Sequence, residues 1–220
     1  MGRIFALGIL GTLACAQVAL AQGTLTGTVT TTAKATPSVR VTIDQNVCGN
    51  ELPDEAIVVD AEGRVANAVV ILTGLKRPHA ADAAVVNEKC RFAPRVQLAR
   101  PNANVRTTSK DAVLHTTQAQ RENGRTIFNV ALPIPGINVT RTVGGGGTVR
   151  LICNTHPWMR GWMVVTEDAA AISGADGRFT IDNVPPGTYE MRVWHEVLKG
   201  APQKVTVSAG KPIEINLQLR

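Results

Sequence analysis

The sequence predicts an all-β protein, a sandwich or a barrel, and three observations carry that prediction. Apolar stretches are short, rich in Val, Ile and Thr, and separated by Gly, Pro, Asn and Asp, as strands and turns are. No segment sustains a helical period of apolar residues; only residues 82–86 suggest a single turn. Tight-turn signals recur, clearest in Asp176-Gly177 and Pro185-Pro186-Gly187, which favour hairpins and sharp reversals. Many short strands of this kind pack as two sheets or close on themselves.

Taken in order, candidate strands run over residues 27–30, 39–43, 56–59, 68–72, 92–98, 111–117, 126–132, 149–152 and 162–166. The four consecutive glycines Gly144 to Gly147 read as a hairpin turn feeding the strand before Cys153, since neither Gly-Lys-Ser/Thr nor a helix follows to make a phosphate cradle. Near residue 168 the texture changes, and the tail offers strands at 179–181, 189–195, 204–207 and 213–219. The last alternates Ile213, Ile215, Leu217 and Leu219 with polar residues, a half-buried strand. About fifty residues make a marginal core alone, so the tail either leans on the preceding domain or completes a sheet begun near Gly27.

The 220 residues give room for one large β domain or two smaller ones. One basic residue, Arg3, precedes an apolar stretch and then Ala19-Leu20-Ala21, a signal peptide with cleavage after Ala21. Cys15 offers a competing lipoprotein site, but Thr12 departs from the Leu usual three residues before such a cysteine. No apolar run reaches the roughly 20 residues of a spanning helix. The expectation is an exported chain, periplasmic or secreted, that does not cross a membrane. Loss of Arg3 takes the net charge from +6 to +5. The basic residues are scattered and aromatics few, which excludes a nucleic-acid stripe; a modest positive charge instead suits steering toward an acidic protein partner.

The strongest motif is Cys153-Asn154-Thr155-His156-Pro157-Trp158-Met159. A thiolate, an imidazole and a thioether follow one another at three-residue spacing, directly after an apolar run. Two His and one Cys near a trigonal plane, with a distant axial Met, are the ligand set of blue copper. The loop supplies Cys153, His156 and Met159, and His115, 38 residues earlier on a neighbouring candidate strand, supplies the second imidazole. The Met argues against structural zinc, which takes Cys, His and carboxylate. Outside the signal peptide remain Cys48, Cys90 and Cys153, an odd number. If Cys153 binds metal, Cys48 and Cys90 pair as a disulfide, worth about 4 kcal/mol in the chain-entropy model. The competing reading sends one of them to the metal, yet neither has a His or Met neighbour at ligand spacing.

This loop resembles that of the cupredoxins, closest in its short spacing to the amicyanin type, and residues 111–115 resemble the stretch bearing their first His. With Cys90-Arg91-Phe92-Ala93-Pro94, Phe128-Asn129, Asp176-Gly177-Arg178-Phe179, Pro185-Pro186-Gly187-Thr188-Tyr189 and Trp194-His195-Glu196, the chain is similar to bacterial exported proteins that join a cupredoxin-like domain to a carboxypeptidase-regulatory-like domain. The resemblance implies a signal peptide (1–21), a Greek-key cupredoxin-like β-sandwich (22–168) and a small transthyretin-like β-sandwich (169–220). Residues 22–75 could complete part of the C-terminal sheet. It implies type 1 copper cycling between Cu(I) and Cu(II), and one-electron transfer to a redox protein docking near Trp158 and the edge of His156. Two positions depart from the pattern. Thr116 stands where cupredoxins carry Asn, a residue that ties the two ligand loops together, and Arg95 and Gln118 stand where relatives often carry His.

Other candidates are weaker. Trp194-His195-Glu196 lacks the second His of a metalloprotease helix, and on a strand His195 and Glu196 would point to opposite faces. His79 reads as a solvated loop residue. No Ser or Thr has a His placed to activate it, so an enzyme is not expected. The regulatory-type tail is accessory and brings no peptidase activity. The alternative to electron transfer is a module that holds copper, or that binds protein or glycan in the cell envelope.

Overall fold

A computed structural model describes residues 22–220; the signal-peptide and Cys15 readings lie outside the described residues. The chain begins with β1 (Gly23–Thr31). A small ribbon of β2 (Val39–Arg40) and β3 (Glu51–Leu52) then brackets a one-turn helix, α1 (Gln45–Cys48). There follow β4 (Val69–Lys76), β5 (Asp82–Glu88), β6 (Arg91–Ala93), β7 (Val96–Ala99), β8 (Asn104–Ser109), β9 (His115–Arg121) and β10 (Thr126–Leu132). Next come β11 (Asn138–Thr142), β12 (Gly147–Ile152), β13 (Arg160–Val165) and β14 (Asp168–Ile172). The last strands are β15 (Arg178–Val184), β16 (Gly187–Trp194), β17 (Gln203–Val207) and β18 (Ile213–Leu219). The fold is all-β.

In the first sandwich a sheet of order β11-β8-β5-β6 packs on one of order β10-β9-β12-β13-β7. Val85, Phe92, Val105, Phe128, Leu132, Leu151 and Met163 fill the space between. The chain changes sheet between β8 and β9, β10 and β11, and β11 and β12, the crossings of a Greek key. The glycine run is therefore no hairpin turn. It carries the chain from one sheet to the other, with Gly144 and Gly147 at positive φ and the Arg121 guanidinium bonded to the carbonyls of Val143, Gly145 and Gly146.

Local signals yield to sheet pairing in several places. Residues 82–86 belong to β5, held between β6 and β8, not to a helical turn. The run 92–98 splits at Pro94, which has no amide to donate, so β6 and β7 enter opposite sheets. Residues 111–114 bend, and β9 starts at His115. Residues 56–59 contribute only the single bridge from Val59 to Val65.

The second sandwich takes strands from both ends of the chain. One sheet is β15-β1-β18 and the other β14-β4-β16-β17; Leu25, Val29, Leu72, Phe179, Met191 and Leu217 lie between them. Strand β1 is central in its sheet, antiparallel to β15 and parallel to β18, and alternate residues from Gly23 to Thr31 are buried. The sandwich that holds residues 169–220 thus also needs β1 and β4. At Gly27 the strands approach so closely that a Cβ would lie 1.9 Å from the Ile215 carbonyl oxygen and 2.8 Å from the Phe179 ring.

The sandwiches meet along β7 and β13 on one side and β4, β14 and β16 on the other, over Val69, Val96, Val164, Trp162 and Trp194. Arg95 crosses this seam to Glu196 through two bonds of 2.9 Å, with side chains 9% and 6% exposed. Burial pushes the Glu196 carboxyl up even though Arg95 pulls it down. The pair therefore fixes how the sandwiches meet more than it adds net stability. Arg95→Met alone is expected to destabilise by about 3 kcal/mol by stranding Glu196, and Arg95→Met with Glu196→Leu to recover most of that in urea unfolding. Gly27→Ala should lower the urea midpoint by an amount equivalent to about 2 kcal/mol, because β18 must move to admit the methyl.

Candidate metal centre

Strands β9 and β12 run antiparallel, with Ile152 beside Gln118. One residue past β12, Cys153 therefore arrives next to the start of β9, where His115 sits. The loop then closes on itself: the Met159 amide donates to the His156 carbonyl at 3.0 Å, and the Cys153 amide to the Met159 carbonyl at 3.4 Å. Two strands and one short loop thereby bring His115, Cys153, His156 and Met159 together, all buried.

Their donor atoms converge. Cys153 Sγ lies 4.0 Å from His115 Nδ1 and 3.7 Å from His156 Nδ1, and the two imidazole centroids are 4.6 Å apart. The three donors lie within 4.8 Å of one another. A metal held in a plane by sulfur at about 2.3 Å and nitrogens at about 2.0 Å sets sulfur–nitrogen spacings of about 3.7 Å. The donor set fits a trigonal ion. A second cluster, Cys90, Asp111 and His115, does not, because Cys90 is bonded to Cys48 and has no thiolate to offer.

Carboxylates set both imidazoles. His115 Nε2 meets Asp111 Oδ2 at 3.0 Å, and His156 Nε2 meets Asp44 Oδ2 at 3.0 Å. With the proton held at Nε2, each Nδ1 presents its lone pair toward the sulfur, the tautomer a metal requires. Asp111 is itself held by the Lys89 and Cys90 amides, both at 2.8 Å. Asp44 opens the α1 turn in a left-handed conformation, φ 52°, and α1 is bridged to Cys90 by the Cys48–Cys90 disulfide. This pairing leaves Cys153 as the free cysteine among the described residues. Burial alone would raise the Cys153 thiol, but His115, the Thr116 amide and His156 outweigh it and bring it down from 9.0 to about 6.

Several expectations change here. His156 has no edge at the surface: it is fully buried beneath Asp44. Trp158 is half-buried, its ring 5.1 Å from that of His156 and its indole N–H donating to the Cys90 carbonyl. The exposed apolar groups nearest in sequence are Ile43 and Leu114, beside Asp44 and His115. Thr116 does tie the two ligand segments. Its amide donates to Cys153 Sγ at 3.3 Å, and its hydroxyl accepts from the Asn154 amide at 2.7 Å. Arg95 serves the seam with Glu196, and Gln118 donates to Thr126. His79 is half-buried and bonded to the Asp168 carbonyl at 2.7 Å, not solvated. Sequence reasoning missed Asp111 and Asp44. The first was within reach, four residues before His115; the second lies 112 residues from its partner.

One family profile, described as polysaccharide lyase family 4, domain II, matches residues 169–215. No curated protein matches the chain. Among solved structures, a purple cupredoxin from Nitrosopumilus maritimus is similar at 23% identity, over 39% of this chain and 100% of that one, with a TM-score of 0.35. An amicyanin from Paracoccus versutus is similar at 17% identity, over 44% of this chain and 97% of that one, with a TM-score of 0.34. A copper-containing nitrite reductase from Thermus scotoductus is similar at 20% identity over 44% of this chain and 25% of that one, TM-score 0.33.

Two outcomes follow from the geometry. In the metal-free protein, thiolate absorbance of Cys153 should appear with a midpoint near pH 6. Because the folded value is the depressed one, stability should rise from about pH 6 toward pH 9 and be lost on acidification through that window. Asp44→Ala should weaken Cu(II) binding by about 10- to 100-fold, since His156 loses the group that orients it; competitive chelator titration measures this.

Proposed function

We propose that the chain is an exported copper protein that carries single electrons, holding type 1 copper with His115, Cys153 and His156, and Met159 as the weak axial group. The observation that carries this reading is the convergence of one sulfur and two carboxylate-oriented Nδ1 atoms at trigonal-metal spacing. Copper bound there supplies a one-electron couple. The chain's own residues do the rest. Asp111 and Asp44 hold the imidazoles in one tautomer, the Thr116 amide donates to the sulfur, and burial keeps water from the donors. The strand order of the first sandwich supports a cupredoxin-like assignment, and the tail is read as a transthyretin-like accessory sandwich of the carboxypeptidase-regulatory kind. Export is supported by the Cys48–Cys90 disulfide, which suits an oxidising compartment. No helix among the described residues is long and apolar enough to cross a membrane. The redox partner would dock near Trp158 and the exposed apolar groups Ile43 and Leu114, which adjoin Asp44 and His115 in sequence, with the net positive charge favouring an acidic protein.

A second reading, copper held for storage or delivery, is favoured by one observation: Asp44 covers His156, so a partner cannot touch that ligand. Loading the purified protein with Cu(II) decides between them. Electron transfer requires an intense thiolate-to-copper band that bleaches on reduction and returns on reoxidation over repeated cycles. A site that colours but does not cycle supports the holding role. If Cys153→Ser leaves both colour and affinity intact, the ligand assignment is wrong.

A further inference from the structure

At one end of the seam between the sandwiches opens a cleft of about 240 Å³. Trp162 of β13 and Trp194 at the end of β16 form its walls, their rings 5.5 Å apart and inclined at 61°. His195 is its buried floor, 3% exposed. Because β16 stops at Trp194, His195 and Glu196 do not alternate across a strand; both line this cleft. The rim carries Arg121, Arg150 and Lys199.

The charge of the cleft is unbalanced. None of these three cations forms an ion pair among the described residues; Arg121 is bonded to backbone carbonyls and Arg150 to Gln120. Of the two lining acids, Glu196 is already neutralised by Arg95, leaving Glu122. The floor is uncharged. Burial, then Arg95 and Lys199, push His195 down to about 4. Its Nδ1 accepts from the Val197 and Leu198 amides at 3.2 and 3.1 Å, so the proton sits on Nε2, a neutral donor. Indole faces, an excess of cations and a neutral N–H donor make a site for an anion with an apolar face. Walls that meet edge to face leave no parallel slot for a flat aromatic acid, whereas the C–H face of a sugar ring can lie against one indole. Three cations and this volume are too small a footprint for a nucleic acid.

We propose that this cleft binds a uronic acid residue of an acidic glycan. Its carboxylate lies between Arg150 and Lys199, its ring against Trp194, and its hydroxyls against His195 Nε2 and Glu122. The site is independent of the copper assignment. Arg121 and His115 stand at opposite ends of β9, which separates them by about 20 Å.

Titration of the metal-free protein with galacturonate and with glucuronate, followed by tryptophan fluorescence, tests this, with galactose and benzoate as controls. At least one uronate should change the fluorescence saturably, bind at least tenfold tighter than galactose and benzoate, and weaken with added salt. Arg150→Ala, on the exposed rim, should reduce that affinity at least tenfold without altering the unfolding midpoint. Trp194→Ala should abolish it; if that variant unfolds, Trp194→Phe should weaken it instead. The proposal is overturned if neither uronate gives a saturable response, if galactose or benzoate binds as tightly, or if Arg150→Ala binds as the wild type does.

Discussion

The fixed point of the first sandwich is the Cys153 sulfur, set between two imidazoles that cannot turn. Each ring is gripped from behind by a carboxylate, and the carboxylates are not independent. Asp111 is bonded to the amides of Lys89 and Cys90, Cys90 is bridged to Cys48, and Cys48 closes the turn that Asp44 opens. The donors, their carboxylates and the disulfide thus form one closed ring of contacts. A change at any member is felt at the sulfur, because each group is oriented by the next and not by bulk solvent.

That ring explains what could be read from the sequence and what could not. The candidate ligand loop is legible because its spacing is local: Cys153, His156 and Met159 lie on one short loop after one strand. The disulfide followed from the parity of cysteines once Cys153 was assigned to a metal. His115 was found by its place in the strand order, although residues 111–114 bend and do not extend it. Asp44 left no signal. It lies in a segment whose short helix was not expected, and its partner is on the opposite side of the sequence. Strands β5 and β8 were likewise hidden, since Asn104–Ser109 alternates Val105, Thr107 and Ser109 inward, and buried hydroxyls do not register as a hydrophobic period.

The second sandwich poses a different problem of order. Its tail carries five strands, yet the central strand of one sheet is β1 and a central strand of the other is β4. The β15-β1-β18 sheet cannot close its hydrogen-bond ladder until the two ends of the described chain meet, and the β14-β4-β16-β17 sheet cannot until the tail returns to β4. The first sandwich is in effect inserted between β4 and β14, which enter and leave it side by side as antiparallel neighbours. Across the seam that results, Arg95 faces Glu196.

If the site carries electrons as proposed, burial of both imidazoles has a consequence for how they would reach it. A solvent-shielded donor set changes its surroundings little when its charge changes, which favours exchange. The same shielding removes the imidazole edge as a point of contact. Asp44 covers His156, so on that proposal the short routes outward would run through bonded neighbours: from Cys153 through the Thr116 amide, and from His115 to Leu114. Leu114 and Ile43, exposed apolar groups next in sequence to His115 and Asp44, would let a partner approach without stripping water from charged groups, while Asp44, 38% exposed at its side chain, places a negative charge beside Ile43. On that proposal, a partner that meets Asp44 with a neutral or cationic group would be better matched than one that is acidic throughout, a distinction that the net charge of the chain by itself does not make.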